Sequence, residues 1–145
     1  MGRNGHVDRY AYLAAYSREE LEEAANHIAA MHDEMLTRGW TQEYLVTEDE
    51  KVCLHGADCA VRIEDWSWET YNKLNARKAN SEYFYEGMPR LVFMMLADLI
   101  RETDPHFGSN RHLYAWNDSN RRNENEVFDL LRNAEKKLRE VAGEK

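Results

Sequence analysis

Only two cysteines, two prolines and seven glycines occur in 145 residues, and no apolar run is long. Each scarcity closes off a class of protein. Cys53 and Cys59 match neither a CxxC redox pair nor the framework of a disulfide-stapled secreted domain. So little Gly and Pro excludes collagen-like repeats and long linkers. A balance of 43% hydrophobic and 32% charged residues is that of a globular chain. The longest apolar stretch, Leu91 to Ala97, falls far short of the roughly 20 residues that cross a bilayer. The opening, Met-Gly-Arg-Asn-Gly-His, is polar and has no apolar stretch of signal-peptide type. The expectation is one domain over residues 1–145, in the cytoplasm, with reduced thiols and no membrane partner.

Catalytic signatures are scarce too. Neither GxxxxGK[ST] nor GxGxxG is present, and HExxH, ExxH and GxSxG are absent. The nearest thing to a metal set is Cys53-Leu-His55 with Cys59, which His106 or His112 could complete. Structural zinc sites use tighter pairs, C-x2-4-C with H-x3-5-H, so the set reads as a packed thiol pair and a surface histidine. Nucleophilic pairing of Cys53 with His112, or Cys59 with His106, rests only on the presence of both residue types. Asp33-Glu34 beside His32 reads as the solvated edge of a helix. No cofactor is expected.

Charge is unevenly spread. Residues 1–17 carry +1, residues 18–50 carry −8, residues 51–100 carry −1 and residues 101–145 carry 0. Direct nucleic-acid binding is disfavoured, because affinity for phosphate needs clustered Lys and Arg. An acidic stretch can instead attract a basic surface on another macromolecule.

The pattern of the chain is helical. Tyr10, Tyr12, Leu13 and Tyr16 suggest an arm over 1–16 packed on the body. Ser17-Arg-Glu-Glu20 is a capping box, and Leu21, Ala24, Ala25, Ile28, Met31, Met35 and Leu36 recur at helical spacing until Gly39. Two short apolar runs, Tyr44-Leu45-Val46 and Val52-Cys53-Leu54, flank a polar turn and suggest a small β-hairpin near 44–54. Short helices are expected over 56–63 and 67–79. Residues 88–102 are apolar almost all round, with Pro89 in the first turn, and predict a buried central helix. Asn123, with Glu126 three residues on, caps a last helix whose inward stripe is Val127, Leu130, Leu131, Ala134, Leu138 and Val141. The fold class that follows is mainly α, with four to six helices and a small hairpin.

Three short motifs, Gly39-Trp40, Cys53-Leu-His-Gly-Ala57 and Trp116-Asn-Asp118, stand in a recognisable order. In these the chain resembles a family of small uncharacterised proteins of actinobacteria and their phages. The likeness covers roughly residues 18–62 and 112–140, and the middle departs from it. The resemblance implies a phage or actinobacterial accessory protein and supplies no activity. Physically the motifs read as scaffold. Gly39 serves a turn, Gly56 and Ala57 allow close packing, Trp116 plugs the core, and Asn117 and Asp118 tie down a loop. A ligand pocket among Trp40, His55 and Trp116 is the minor alternative.

The function expected from these features is non-catalytic: an accessory or regulatory protein binding a host protein, in particular a basic or nucleic-acid-binding one. Glu19, Glu20, Glu22 and Glu23 with Glu48, Asp49 and Glu50 would steer the encounter, and Trp40 would supply contact area. Two rival expectations stay open. One is a small metal-dependent or nucleotide-processing enzyme. The other is a mimic of nucleic-acid charge that occupies a DNA-binding host or defence factor.

Overall fold

The longest helix starts where its orphan amides find partners. The Ser17 hydroxyl accepts from the Glu20 amide at 3.1 Å, and the Glu20 carboxylate accepts from the Ser17 amide at 2.8 Å. Helix α1 then runs Arg18–Arg38, burying Leu21, Ala24, Ala25, Ile28, Met31 and Met35, while Leu36 is left exposed. It ends at Gly39, whose φ of 97° strains any residue with a Cβ. The computed structural model describes residues 10–73, 87–104 and 113–145.

Five more α-helices follow among the described residues: α2 Leu54–Arg62, α3 Trp68–Lys73, α4 Gly87–Thr103, α5 Leu113–Asp118 and α6 Glu124–Gly143. A 3-10 helix, Ala11–Ala15, precedes α1 and buries Leu13. Around it Tyr10, Tyr12 and Tyr16 pack on the core, and residues 1–9 of the expected arm lie outside the described residues. Helix α6 repeats the capping logic of α1, with Asn123 and Glu126 bonded reciprocally at 3.0 and 3.2 Å. Its inward stripe is the expected one, except that Ala142 takes the buried place in the last turn and Val141 lies half-buried.

The two long helices α1 and α6 share the largest interface, and α2 and α4 pack against α1 as well. From Leu91 to Ile100 only Met94 and Leu99 are not fully buried, so α4 is the central helix its composition predicts. The protein is mainly α, and no helix among the described residues is long and apolar enough to cross a membrane.

The expected hairpin near 44–54 is not there. Among the described residues no strand occurs, and the segment after α1 makes one isolated parallel bridge, Trp40 to Val52. The polar turn does exist: Thr47 N–H donates to the Lys51 carbonyl, and Thr47 Oγ1 accepts from the Lys51 amide, both at 3.0 Å. The flanks differ because Glu43 and Glu50 take positive φ, 71° and 73°, which breaks an extended run. Val46 and Val52 enter the core singly from a loop, and Leu45 packs against its edge. The second expected helix starts two residues early, because the Cys53 sulfur accepts from the Gly56 amide at 3.4 Å and caps it. Of the helix expected over 67–79, residues 68–73 are helical. The rest, with Tyr83, Phe84, Tyr85, His106, His112 and the loop around Gly108, lies outside the described residues.

Gly56 is where loop and helix meet most closely. A Cβ there would lie 1.7 Å from the Leu45 carbonyl oxygen, a backbone atom that cannot step aside. Gly143, by contrast, faces open space. Gly56→Ala is expected to destabilise the fold by about 3 kcal/mol or more. Gly143→Ala should be neutral or slightly stabilising, through better helix propensity. Urea midpoints of the two variants check this, and equal midpoints would refute the close approach.

Candidate functional site

Two convergences of polar side chains stand out in the described structure. The first is centred on Asn117, at the end of α5. Its Oδ1 accepts from the Trp40 indole N–H at 2.8 Å and from the Leu54 amide at 3.2 Å. Its Nδ2 donates to the Thr41 carbonyl at 3.2 Å and to Asp118 at 2.9 Å. Around it Gln42 donates to the carbonyls of Asn117 and Ser119, and Asp118 accepts from the Glu43 amide. Trp116, 4% exposed, fills the core beneath the Arg122 guanidinium, which lies 4.0 Å from the ring centroid. These residues fasten the loop after α1 to α5 and to the start of α2. They use one another's hydrogen-bonding capacity.

The second is a buried ion cluster between α1 and α2. His27 Nε2 lies 2.7 Å from Asp58 Oδ1, and Arg62 approaches Oδ2 through Nε at 2.8 Å and through its terminal nitrogen at 2.7 Å. An ionised carboxylate only accepts, so the His27 Nε2 carries the proton in this contact. Burial works to raise the Asp58 carboxyl, but the hydrogen bonds from His27 and Arg62 and the guanidinium charge hold it below the usual carboxylate range. Sequence reasoning missed this cluster. Its signal was visible: His27 falls on the apolar stripe of α1, and Asp58 and Arg62 are spaced i,i+4 on a short helix of mostly apolar residues.

The residues of the candidate metal set have other partners. Cys53 caps α2, and burial pushes its thiol up to about 11. Burial also raises Cys59, whose sulfur accepts from Arg62 at 3.8 Å. His55 is a buried residue, not the surface histidine expected, and stacks on Phe93 with ring centroids 5.1 Å apart. No group of three or more His, Cys, Asp or Glu among the described residues is placed to hold a metal ion. His32, read as part of a solvated edge, is half-buried against Phe128, and Glu34 pairs with Arg38.

The acidic residues divide into two groups. Glu19, Glu20, Glu22 and Glu23 stand on the first turns of α1. Glu48, Asp49 and Glu50 lie at its far end, where Glu50 is 3.7 Å from Arg38. The helical rise from Glu23 and Glu19 to Arg38 separates them by roughly 22–28 Å. Several are spent internally: Glu20 in its capping box, Glu22 on Arg18, and Glu50 on the Trp68 amide at 3.1 Å. Asp49 accepts from Thr47, and this bond holds its carboxyl below the usual range. Glu19, Glu23 and Glu48 make no hydrogen bond or ion pair among the described residues. Trp40 belongs to the Glu48 end, half-buried and bonded to Asn117. At the other end Glu20 and Glu23 border a groove of about 370 Å³, lined also by Tyr16, Met88, Arg90, Leu91 and Met94.

Residues 19–137 match a family of unknown function, DUF6197. The chain belongs to that family. No curated protein and no solved structure matches it. The DUF6197 span takes in the Asn117 hub, the ion cluster and the loop between α1 and α2. Of the groove residues, only Tyr16 falls outside it.

Two measurements test the geometry. Asn117→Asp keeps the shape but turns an acceptor toward the Thr41 carbonyl and the Asp118 carboxylate, so a loss of about 3 kcal/mol or more is expected in urea unfolding. Asn133→Asp, on the exposed face of α6, should change stability by less than about 0.5 kcal/mol. Burial lowers His55 to about 4. Between there and its unfolded value near 6.5, the unfolded chain binds the proton that the folded chain refuses. Stability present above pH 6.5 is therefore lost as pH falls toward 4, by about 3 kcal/mol. His55→Asn should flatten that part of the pH profile, and an unchanged slope would show that His55 is not its source.

Proposed function

We propose that this protein is a non-catalytic accessory protein, acting in the cytoplasm by binding a host protein. One observation carries the reading. The polar groups of the Asn117 hub and of the His27–Asp58–Arg62 cluster bond one another, whereas Glu19 and Glu23 stand exposed with no ion pair among the described residues. The Asn117 hub and the His27–Asp58–Arg62 cluster read as fastenings between segments. Burial favours the protonated form of both thiols, the weaker nucleophile. The resemblance to small actinobacterial and phage proteins supplies the setting, a phage-encoded factor directed at its host.

The division of the acids into two patches favours a protein partner over imitation of a nucleic-acid backbone. A mimic needs charge repeated along a continuous surface, and the middle of α1 does not continue the run. Within the acidic stretch, the α1 end is the better candidate surface. Its carboxylates border a groove walled by half-buried methionines, and apolar anchors carry most of the energy of an interface.

Capture of a partner from host lysate by the immobilised full chain is the test. Glu19→Lys/Glu23→Lys together should reduce capture at least tenfold at low salt, while Glu48→Lys/Asp49→Lys should leave it within about twofold. Melting temperatures should stay close to wild type, because these side chains are at the surface. Absence of any captured protein from the wild-type chain at low and high salt would defeat the reading.

A further inference from the structure

The groove between the N-terminal parts of α1 and α4 narrows the kind of partner, and the inference rests on the accessory-protein reading above. Its α4 side presents Met88, Leu91 and Met94, with Leu91 buried at the base and the two methionines half-buried. Its α1 side presents Tyr16, Glu20 and Glu23. Glu19 stands one helical turn before Glu23, so two like charges stand at i,i+4, and neither is ion-paired among the described residues. Arg18, the nearest cation in sequence, is bonded to Glu22. Such a pair is unfavourable in the free helix and becomes favourable when a cation settles between the carboxylates.

The two walls ask for different chemistry. Exposed carboxylates in water hold a small cation only weakly, so affinity must come from apolar contact beside them. Thioether side chains suit that role, since methionine adapts its shape to the surface laid on it. Arg90 also lines the α4 side, so the carboxylates that could meet a partner's cation are those of α1. We propose that the groove seats an amphipathic basic segment of a partner protein. An apolar side chain of that segment lies on Met88, Leu91 and Met94, and a Lys or Arg one turn away lies against Glu19 and Glu23.

The probe is a fluorescein-labelled synthetic peptide of four Leu-Lys-Lys-Leu repeats, titrated into the full chain at low salt and followed by anisotropy. Binding is expected, with the Leu-Glu-Glu-Leu counterpart at least tenfold weaker. Glu23→Lys and Met94→Asp should each weaken the basic peptide at least tenfold, and Glu48→Lys by less than twofold. Methyl spectra of the unaltered protein guard against a misfolded variant: the Met88 and Met94 signals should shift on titration, and those of buried Met31 and Met35 should not. Equal losses from Glu48→Lys and Glu23→Lys, or methyl shifts that spare Met88 and Met94, would overturn the groove assignment. Lysate capture that survives both Glu23→Lys and Met94→Asp would also overturn it while leaving the accessory-protein reading standing. The expected peptide pattern with no captured partner would sustain the groove and remove the wider reading.

Discussion

A single amide side chain, Asn117, settles how the part of the chain between α1 and α2 is built. That loop enters the core without a strand beside it, so its polar backbone groups have no ladder to satisfy them. A buried unpaired amide or carbonyl costs about 1–3 kcal/mol. Asn117 donates to Thr41 while accepting from Trp40 and Leu54, and only a side chain with both capacities on one planar group can do that from one position. With the loop so fixed, Leu45 can lie against the backbone of Gly56. That contact brings α2 to its place on α1.

Once α2 is seated, Asp58 meets His27. Burying an ion pair gains little over a well-packed apolar pair, because desolvation offsets the attraction. What the cluster adds is direction. The apolar residues of a nine-residue helix would tolerate a range of rotations, whereas a carboxylate bonded on one oxygen by His27 and on the other by Arg62 tolerates one. The same argument assigns the cluster to architecture. All three side chains are nearly inaccessible, and both carboxylate oxygens are occupied.

Local signals were legible in the sequence and non-local ones were not. Both capping boxes, at Ser17 and at Asn123, could be read because every group involved lies within four residues. Helix α4 was equally plain, since an all-round apolar run has nowhere to go but the centre. The loop was misread as a hairpin because two short apolar runs about a polar turn are compatible with either arrangement. Gln42 and Asn117 decide the matter, and they are 75 residues apart. His27 was overlooked for a related reason: a polar residue on an apolar stripe announces a partner without saying where it is. The acidic stretch misled differently. Contiguity in sequence suggested one face, although α1 carries its two ends far apart.

That separation changes what the net charge can do. At physiological ionic strength the Debye length is about 8 Å, so charges more than about 20 Å apart act almost independently. The excess of −8 is therefore not one field but two local ones, each short in range. A short-range field contributes to recognition only where the partner is already held close by something else. At the Glu48 end Trp40 has committed its indole N–H to Asn117, and the exposed Leu36 and Tyr44 do not line the groove. Near Glu23 the thioethers of Met88 and Met94 line an open groove, so apolar contact and unneutralised charge coincide there. Charge alone would not distinguish the two ends. The groove beside Glu23 does.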